Sequence, residues 1–340
     1  MTTYLSSPVT VNWGITARCN FVCSHCFSRL DPSPELTAEE ARRVVDILAE
    51  HSVMFLNYGT GEPLLRRDLF ELTEYAVSKG LKVTMNSNGS LIDPAAARRI
   101  RESGFHSVGI SIDSAVPETH DAFRRMPGSF DKAVRAARLL RAEGVPLTVS
   151  SVICKVNHRD FPSLVRLAKE LGATTIDLHN FKCSGMGGLN KEALDLSPEE
   201  WRDFYTAAVP MRDREKEIGI AFDDPILSLL GAEEQGKLVA GSVCGKLSLY
   251  VKPDGEITPC GFIPVPVGHI LRDDFAQVWH GSKVLEHLRN KAATGKCSGC
   301  AKFSACLGGC TARAYAVYGA YDAPDPHCWK GTEGPPPPGE

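Results

Sequence analysis

Apolar and polar residues alternate in two rhythms over the first half of the chain. Six short apolar runs have the composition of strands, and their sequences are VTVNWGI, VMFLNY, LKVTMN, HSVGISI, VPLTVSSVI and TTIDL. Between them lie five segments with apolar residues at helical spacing, AEEARRVVDILAEH, RDLFELTEYAVSKG, DPAAARRIRESG, SFDKAVRAARLLRAEG and DFPSLVRLAKELG. Several of these begin at Asp or Ser and end at Gly, as capped helices do. The alternation predicts an α/β domain with a parallel sheet, either open or wound into a barrel.

This rhythm stops after Asn180, and the chain is predicted to contain further units. The segment 184–243 is expected to be a linker with one helix, from Pro198 to Gly219, followed by an irregular stretch to Ser242. Residues 244–330 are rich in Gly and Pro and contain seven of the twelve cysteines, which predicts a small metal-organised module after the α/β domain of residues 1–183. Residues 331–340, GTEGPPPPGE, have little to bury and are expected to be disordered.

Composition excludes several classes of partner. Of the 340 residues, 43% are hydrophobic and 23% charged, which is typical of a soluble globular protein. A net charge of −3 provides no basic field for nucleic acid, and no apolar run approaches the roughly 18 residues of a membrane span. The N-terminal residues lack the pattern of a secretory signal, so we expect a cytoplasmic protein. In that reducing compartment, metal ligation or catalysis by cysteine is favoured over disulfides.

Three cysteines follow the first predicted strand with the spacing C-x3-C-x2-C, at Cys19, Cys23 and Cys26. Loops at the carboxyl ends of parallel strands form the active face of such folds. Thiolates select zinc, copper(I) or iron–sulfur clusters, and three of them leave one corner of a cubane cluster open to a cofactor or substrate. The alternative is a zinc site completed by His25 or a later cysteine, although the next one, Cys154, is several βα units away.

The triplet resembles the signature of the radical S-adenosylmethionine (SAM) superfamily, in which an aromatic residue commonly precedes the third cysteine; His25 holds that place. The segment GTGEP is similar to the family's GGEP motif, which holds the methionyl amino group, with Thr60 replacing the first of two adjacent glycines. Arg125 is interpreted as a solvated side chain. The SAM contacts that the resemblance implies are Gly59, Gly61 and Glu62 in GTGEP, Ser87 and Asn88 in MNSNG, Ser111 and Asp113 in GISID, and Arg124 in HDAFRRMPGSF, at the methionyl carboxylate.

The resemblance also implies a fold and a mechanism. The fold is a partial (β/α)6 barrel, with Cys19, Cys23 and Cys26 holding a [4Fe–4S] cluster whose open iron is chelated by SAM. An electron from a flavodoxin- or ferredoxin-type donor splits the sulfonium bond. The resulting 5′-deoxyadenosyl radical takes hydrogen from an unactivated C–H.

The later cysteines resemble the seven-cysteine SPASM pattern, a module that carries two auxiliary iron–sulfur clusters in one branch of the superfamily. Cys244, Gly255 and Cys260 give C-x10-G-x4-C, and C-x2-C-x5-C-x3-C and a final cysteine follow. The preceding segment GKLVAGSV lacks the eighth cysteine of some relatives, which leaves an open iron, a non-cysteine ligand or fewer irons at one site. Two zinc knuckles are the alternative. The resemblance implies one site formed by Cys297, Cys300, Cys306 and Cys328, and another formed by Cys244, Cys260 and Cys310.

Two cysteines fall outside both patterns. Cys154, at the end of the fifth predicted strand, is interpreted as a small buried hydrophobe. Cys183 lies just beyond the sixth predicted strand, in KCSGMGG, and either fills the same role or donates a hydrogen atom to a substrate radical, as in epimerising relatives.

Three functional hypotheses remain. The first is an enzyme that dehydrogenates, decarboxylates or epimerises a polar small-molecule intermediate, such as a sugar, aminocyclitol, nucleoside or tetrapyrrole side chain. The second is a maturase of a ribosomal precursor peptide, aided by a separate recognition protein, and the third is a non-catalytic electron carrier. Eighteen residues before Cys19 leave no room for a fused peptide-recognition domain, which favours the first. Polar residues near the strand ends are available for an anionic or hydroxylated substrate, namely Lys155, His179, Asn180 and Lys182.

Overall fold

A computed structural model of the chain describes residues 5–231 and 239–330. Within these ranges ten strands form one sheet, in the order β10-β9-β8-β1-β2-β3-β4-β5-β6-β7. The strands are β1 Thr10–Gly14, β2 Phe55–Gly59, β3 Lys82–Ser87, β4 Ser107–Ser111, β5 Leu147–Ile153, β6 Thr175–Asn180, β7 Gly219–Phe222, β8 Ser248–Val251, β9 Glu256–Thr258 and β10 Gly268–His269.

Helices connect successive strands and pack on the sheet. None of them, among the residues that the structure describes, has the length and hydropathy needed to cross a membrane. The helices are α1 Ala38–Glu50, α2 Leu69–Ser78, α3 Pro94–Glu102, α4 Pro117–Arg124, α5 Ser129–Ala142, α6 Phe161–Glu170, α7 Met186–Leu189, α8 Lys191–Leu194, α9 Pro198–Arg214, α10 Phe275–Gly281, α11 Lys283–Arg289, α12 Phe303–Cys306 and α13 Thr311–Tyr318, with 3₁₀ turns at Pro63–Leu65, His158–Asp160, Pro225–Leu230 and Gly295–Cys297.

Local sequence explains where the helices begin. At α1, the Thr37 side chain accepts a hydrogen bond from the Glu40 backbone N–H while the Glu40 carboxylate accepts one from Thr37 N, which forms a capping box. A cap of this kind contributes about 1 kcal/mol. The same reciprocal pair, Ser197 and Glu200, begins α9. The apolar face of α1 is then buried against the sheet, through Ala41, Val44, Val45 and Leu48.

Strands β1 to β7 all pair in parallel, so their carboxyl ends lie at one edge of the sheet. Alternate residues of each strand point to opposite faces, and one face carries the core. On the other face, Thr84 Oγ1 donates to Asn57 Oδ1 at 3.0 Å and Asn57 Nδ2 donates to Asn12 Oδ1 at 3.0 Å. The sheet therefore presents a polar surface opposite its helix-covered side.

The segment predicted as a linker contains more structure than one helix. Helix α9 ends at Arg214, five residues before the predicted end, because Glu215 turns the chain into an extended conformation. The next residues form β7, which pairs in parallel with β6 and raises the parallel run from six strands to seven. Part of the predicted irregular stretch, residues 232–238, and the predicted disordered tail, residues 331–340, lie outside the described residues.

The cysteine-rich segment continues the same sheet. Strand β8 pairs in parallel with β1, placing Tyr250 opposite Asn12, and β9 pairs with β8 in antiparallel orientation. A predicted boundary at residue 244 therefore does not interrupt the hydrogen-bonded ladder. This pairing fixes the module beside the loop that follows β1.

A buried ion-pair network also joins the module to the sheet. Arg313 on α13 donates to both carboxylate oxygens of Asp224, at 2.8 and 2.6 Å, and through Nε to Asp325 Oδ1 at 2.9 Å. Asp224 follows β7 and also accepts a hydrogen bond from Tyr205 Oη at 2.6 Å. All of these side chains are at most 2% exposed, so each charge is compensated without solvent.

We predict that Arg313→Ala lowers the free energy of unfolding by about 3–5 kcal/mol, because it leaves two buried carboxylates uncompensated. The matched control is Arg202→Ala, since Arg202 pairs with Asp203 at an exposed position and should contribute less than about 1 kcal/mol. Urea denaturation followed by circular dichroism measures both changes. Equal effects of the two substitutions would contradict this interpretation of the network.

Candidate active site and auxiliary cysteine sites

The predicted motifs meet at the carboxyl edge of the parallel sheet. Gly59 ends β2 and lies opposite Gly14, the last residue of β1. The loop that follows β1 carries Cys19, Cys23 and Cys26 and is called the cysteine loop below. Ser87 and Ser111 are the last residues of β3 and β4. Neighbouring strands thus deliver the predicted SAM contacts and the cysteine triplet to one place.

In the cysteine loop the Cys19 thiol interacts electrostatically with Cys23 and Cys26. A turn with a hydrogen bond from Cys26 N to Cys23 O closes the second half of the triplet. Burial, together with the nearby charges of Glu62, Cys23 and Cys26, raises the pKa of the Cys19 thiol to about 11. Three cysteine sulfurs in a half-buried loop are a donor set suited to a cationic iron cluster, which removes their protons on binding.

The turn of the GTGEP segment packs backbone against backbone on the cysteine loop. Gly61 has φ +62°, and a β-carbon there would lie 2.4 Å from Arg18 O and 2.5 Å from Thr16 O. The Glu62 N–H donates to the same Arg18 carbonyl at 2.8 Å. Only glycine permits this approach, because any side chain would push the two loops apart.

Thr60, the departure from the family motif, adopts a left-handed backbone conformation with φ 68°. Few non-glycine residues take this conformation, which costs about 1–2 kcal/mol. The Thr60 hydroxyl and the Tyr250 hydroxyl lie 2.6 Å apart, and Tyr250 belongs to β8 of the cysteine-rich segment. The replacement therefore connects the predicted SAM-binding turn with the second cysteine region.

Glu62 is the centre of a buried polar cluster. Its carboxylate accepts hydrogen bonds from Ser87 Oγ at 2.8 Å and from Asn88 N at 2.8 Å. Burial raises the pKa of Glu62 to about 7, although these hydrogen bonds oppose the rise. Asn88 Nδ2 in turn donates to Asn20 Oδ1 at 2.9 Å, within the cysteine loop. The structure thus brings together three residues that the sequence assigned to one binding function.

Asp113 and Arg124 form a buried ion pair beside Cys23 of the triplet. Arg124 Nε donates to Asp113 Oδ2 at 2.6 Å, and Arg124 Nη1 lies 3.9 Å from Cys23 Sγ. Asp113 Oδ1 accepts a hydrogen bond from Val152 N at 2.9 Å, which orients the carboxylate. Burial raises the pKa of Asp113, but the Arg124 guanidinium outweighs this effect and holds that pKa below its usual value. The guanidinium is thereby fixed beside the cysteine loop.

Arg125 is exposed, as expected, but it also has structural contacts that sequence reasoning missed. Its Nε donates to Ser24 Oγ at 3.0 Å and its Nη2 donates to Asn190 Oδ1 at 3.3 Å. Asn190 Nδ2 donates to Ser24 O at 3.0 Å, so the connection after β6 is tied to the cysteine loop. Gly185 in the same connection would place a β-carbon 2.3 Å from Phe27 O.

The seven later cysteines separate into the two predicted sets. One cavity is lined by Cys297, Cys300, Cys306 and Cys328. Cys244 and Cys260 share a hydrogen bond, which raises the pKa of Cys260 well above its ordinary value, and Cys310 interacts electrostatically with both. Across residues 5–231 and 239–330, no group of three or more His, Cys, Asp or Glu side chains is arranged to hold a single metal ion.

The two remaining cysteines differ in their surroundings. Cys154 is fully buried in the core, and burial raises its pKa to about 12. Cys183 is half-buried, and its thiol donates to Asp195 Oδ2 at 3.2 Å. Burial and the Asp195 charge raise the pKa of Cys183 to about 12, so the thiol keeps its hydrogen at neutral pH. Asp195 is held from its other side by His327 Nε2 at 2.7 Å.

Comparison with known proteins identifies the family. A model described as the radical SAM superfamily matches residues 13–168, and a model described as an iron-sulfur cluster-binding domain matches residues 244–301. The AdoMet-dependent heme synthase of Methanosarcina barkeri is 32% identical over 95% of this chain and 97% of its own length. The chain belongs to the radical SAM superfamily. Mycofactocin maturase MftC of Mycolicibacterium smegmatis is also 32% identical, over 97% of this chain and 85% of its own.

Solved structures share the fold. Native anSMEcpe with bound AdoMet has a TM-score of 0.76 at 21% identity, covering 95% of this chain and 94% of that one. Streptococcus suis SuiB bound to its precursor peptide SuiA has a TM-score of 0.77 at 17% identity, covering 91% and 73%. With the family models, these matches confirm the predicted fold class, a radical SAM partial barrel followed by a SPASM module.

Membership of the family also confirms the predicted type of protein and its cofactors. The chain is a radical SAM enzyme with a SPASM domain. Its cofactors are SAM and a [4Fe–4S] cluster, with auxiliary iron–sulfur clusters in the SPASM domain.

We predict that Gly61→Ala lowers both the iron bound per chain and the urea midpoint, because the added carbon meets two backbone carbonyls of the cysteine loop. Gly144→Ala is the matched control: Gly144 has φ +74°, and a β-carbon there meets nothing within 4 Å. It should cost about 1–2 kcal/mol for the backbone conformation alone and leave the iron content unchanged. Equal iron contents in the two variants would contradict the proposed packing.

Proposed function

We propose that this enzyme reductively cleaves SAM and abstracts hydrogen from an unactivated C–H of a polar small-molecule biosynthetic intermediate. Its outcome is a dehydrogenation, decarboxylation or epimerisation of a sugar, aminocyclitol, nucleoside or tetrapyrrole side chain. One observation supports this proposal most strongly. The cysteine triplet, the Glu62 cluster and the Arg124–Asp113 pair lie at one edge of the parallel sheet.

In this proposal each motif keeps the role that the family pattern gives it. Cys19, Cys23 and Cys26 would hold the [4Fe–4S] cluster, which would supply the electron for the reductive cleavage of SAM. Glu62 and Arg124 receive the methionyl amino and carboxylate groups. The surrounding SAM contacts are Gly59, Gly61, Ser87, Asn88, Ser111 and Asp113.

The protein prepares these contacts before SAM arrives. Ser87 and Asn88 hold the Glu62 carboxylate in one orientation, so it meets the amino group without rearrangement. Asp113 keeps the Arg124 guanidinium in place and offsets the cost of burying its charge. Both devices hold the binding groups in place in a dry site, where charges interact more strongly than in water.

The cysteine-rich segment supplies the auxiliary cluster ligands in this proposal. Cys297, Cys300, Cys306 and Cys328 hold one cluster, and the cavity that they line supports this assignment. Cys244, Cys260 and Cys310 serve the other site, which has three cysteines and an additional ligand position. We further propose domains at residues 1–183 and 244–330, and a flavodoxin- or ferredoxin-type electron donor in the cytoplasm.

Polar side chains on the open face of the sheet favour a small hydroxylated or charged substrate. Asn12, Asn57 and Thr84 form a hydrogen-bonded row on this face. At the ends of β6 and β7, His179 Nδ1 lies 3.1 Å from Asp223 Oδ2. The heme synthase relative supports this small-molecule hypothesis.

The second candidate is a maturase that modifies a precursor peptide. The mycofactocin maturase relative favours it, and a separate protein would then supply the peptide recognition. In either case we propose Cys183 as the hydrogen donor for outcomes that need one, because Asp195 accepts a hydrogen bond from its thiol and keeps it protonated.

The central prediction concerns SAM cleavage. Oxygen-free reconstituted protein reduced with dithionite should release 5′-deoxyadenosine, measured by liquid chromatography. The triple variant Cys19→Ala, Cys23→Ala and Cys26→Ala should release none while keeping its auxiliary iron. The matched control Cys154→Ala removes a fully buried thiol outside these sets and should still release the product. Unchanged release from the triple variant would remove the proposed mechanism.

A second prediction separates the two substrate classes. The dialysable small-molecule fraction of an extract from the source cells should increase the rate of 5′-deoxyadenosine release, because a substrate in place captures the radical. Protease treatment of the extract should leave this increase intact. An increase that appears only with the retained fraction, and is abolished by protease, would instead establish the maturase.

A further inference from the structure

Lys291 is a buried side chain whose ammonium group lacks a direct hydrogen-bonding partner within residues 5–231 and 239–330. It follows α11 and is 8% exposed, and its Nζ makes no hydrogen bond with any of the residues that the structure describes. Burying an ammonium group without compensation costs several kcal/mol. A buried lysine of this kind therefore points to a negative group that the polypeptide itself does not supply.

The position of Lys291 indicates what that group is. A β-carbon on Gly308 would lie 3.2 Å from Lys291 Nζ and 3.7 Å from Cys297 Sγ, so both atoms flank the same point of the backbone. Lys291 also interacts electrostatically with Cys310. Cys297 and Cys310 belong to different cysteine sets, and the ammonium is therefore near both of them.

The two carboxylates that interact electrostatically with Lys291, Asp325 and Asp322, have closer partners of their own. Asp325 accepts hydrogen bonds from Arg313 Nε and from Cys310 N, the latter at 2.6 Å. Asp322 pairs with His287 Nε2 at 2.9 Å. Lys291 is thus left to compensate charge at the cysteine sets.

We propose that the Lys291 ammonium raises the reduction potentials of the two auxiliary clusters and so stabilises their reduced forms. The inference rests on the proposed assignment of Cys297 and Cys310 to those clusters. Each cluster takes up one electron on reduction and becomes more negative by one charge. A fixed positive charge nearby stabilises the reduced form more than the oxidised form.

An EPR-monitored potentiometric titration with dithionite tests this role. It is carried out in the Cys19→Ala, Cys23→Ala and Cys26→Ala background, so that the signals come from the auxiliary clusters alone. Lys291→Met should lower the ratio of reduced to oxidised cluster at fixed potential on the order of tenfold, equivalent to a shift of about −59 mV. Lys291→Arg should retain the parent potentials, and so should the control Lys132→Met, at an exposed position on α5.

Equal potentials in Lys291→Met and the parent would overturn the inference. If the neutral variants Lys291→Met and Lys291→Gln lose auxiliary iron while Lys291→Arg keeps it, the requirement for charge is supported. Loss of iron in Lys291→Arg as well would overturn the inference, because the role would be packing. Absence of auxiliary signals with Lys291 intact would contradict the cluster assignment itself.

Discussion

Parallel pairing forces the carboxyl ends of β1 to β7 to one edge of the sheet, and the candidate active site depends on this constraint. The cysteine loop can contact the turn of the GTGEP segment only because β1 and β2 end side by side. At Gly61 the two loops then touch through their backbones. The strand ends thus place the triplet, and glycine allows the close packing that keeps it there.

Charges around the triplet are buried in compensated groups, which makes the site rigid. Glu62 is held by hydrogen-bond donors, and Arg124 is held by Asp113. Farther along the same edge, Asp224 reaches across to Arg313 and anchors the cysteine-rich module. The sheet extends through β8 into that module, so one sheet supports both cysteine regions. Lys291 is the exception, and we propose that its charge is compensated by the auxiliary clusters.

Much of this arrangement can be predicted from the sequence, because it depends on the period of apolar residues, the spacing of cysteines and the caps of helices. The six strand patterns and the five helix patterns between them predict the parallel sheet, and the resemblance of the cysteine spacings to the SPASM pattern implies two separate later sets. Strand β7 could not be predicted, since its four residues follow a helix without a turn signal and gain their pairing only from β6. The contact between Thr60 and Tyr250 joins positions far apart in the chain. The burial of Lys291 likewise arises only in the folded chain. Local patterns carry no information about such contacts.

We propose that one iron of the N-terminal cluster has no protein ligand and binds SAM. Mössbauer spectra of oxygen-free protein, enriched in isotopically labelled iron and recorded with and without SAM, test this directly. We expect a cubane cluster in which one iron site changes on addition of SAM, and we expect no such change when the three cysteines of the triplet are replaced. Zinc at this site, or spectra that SAM leaves unchanged, would contradict it.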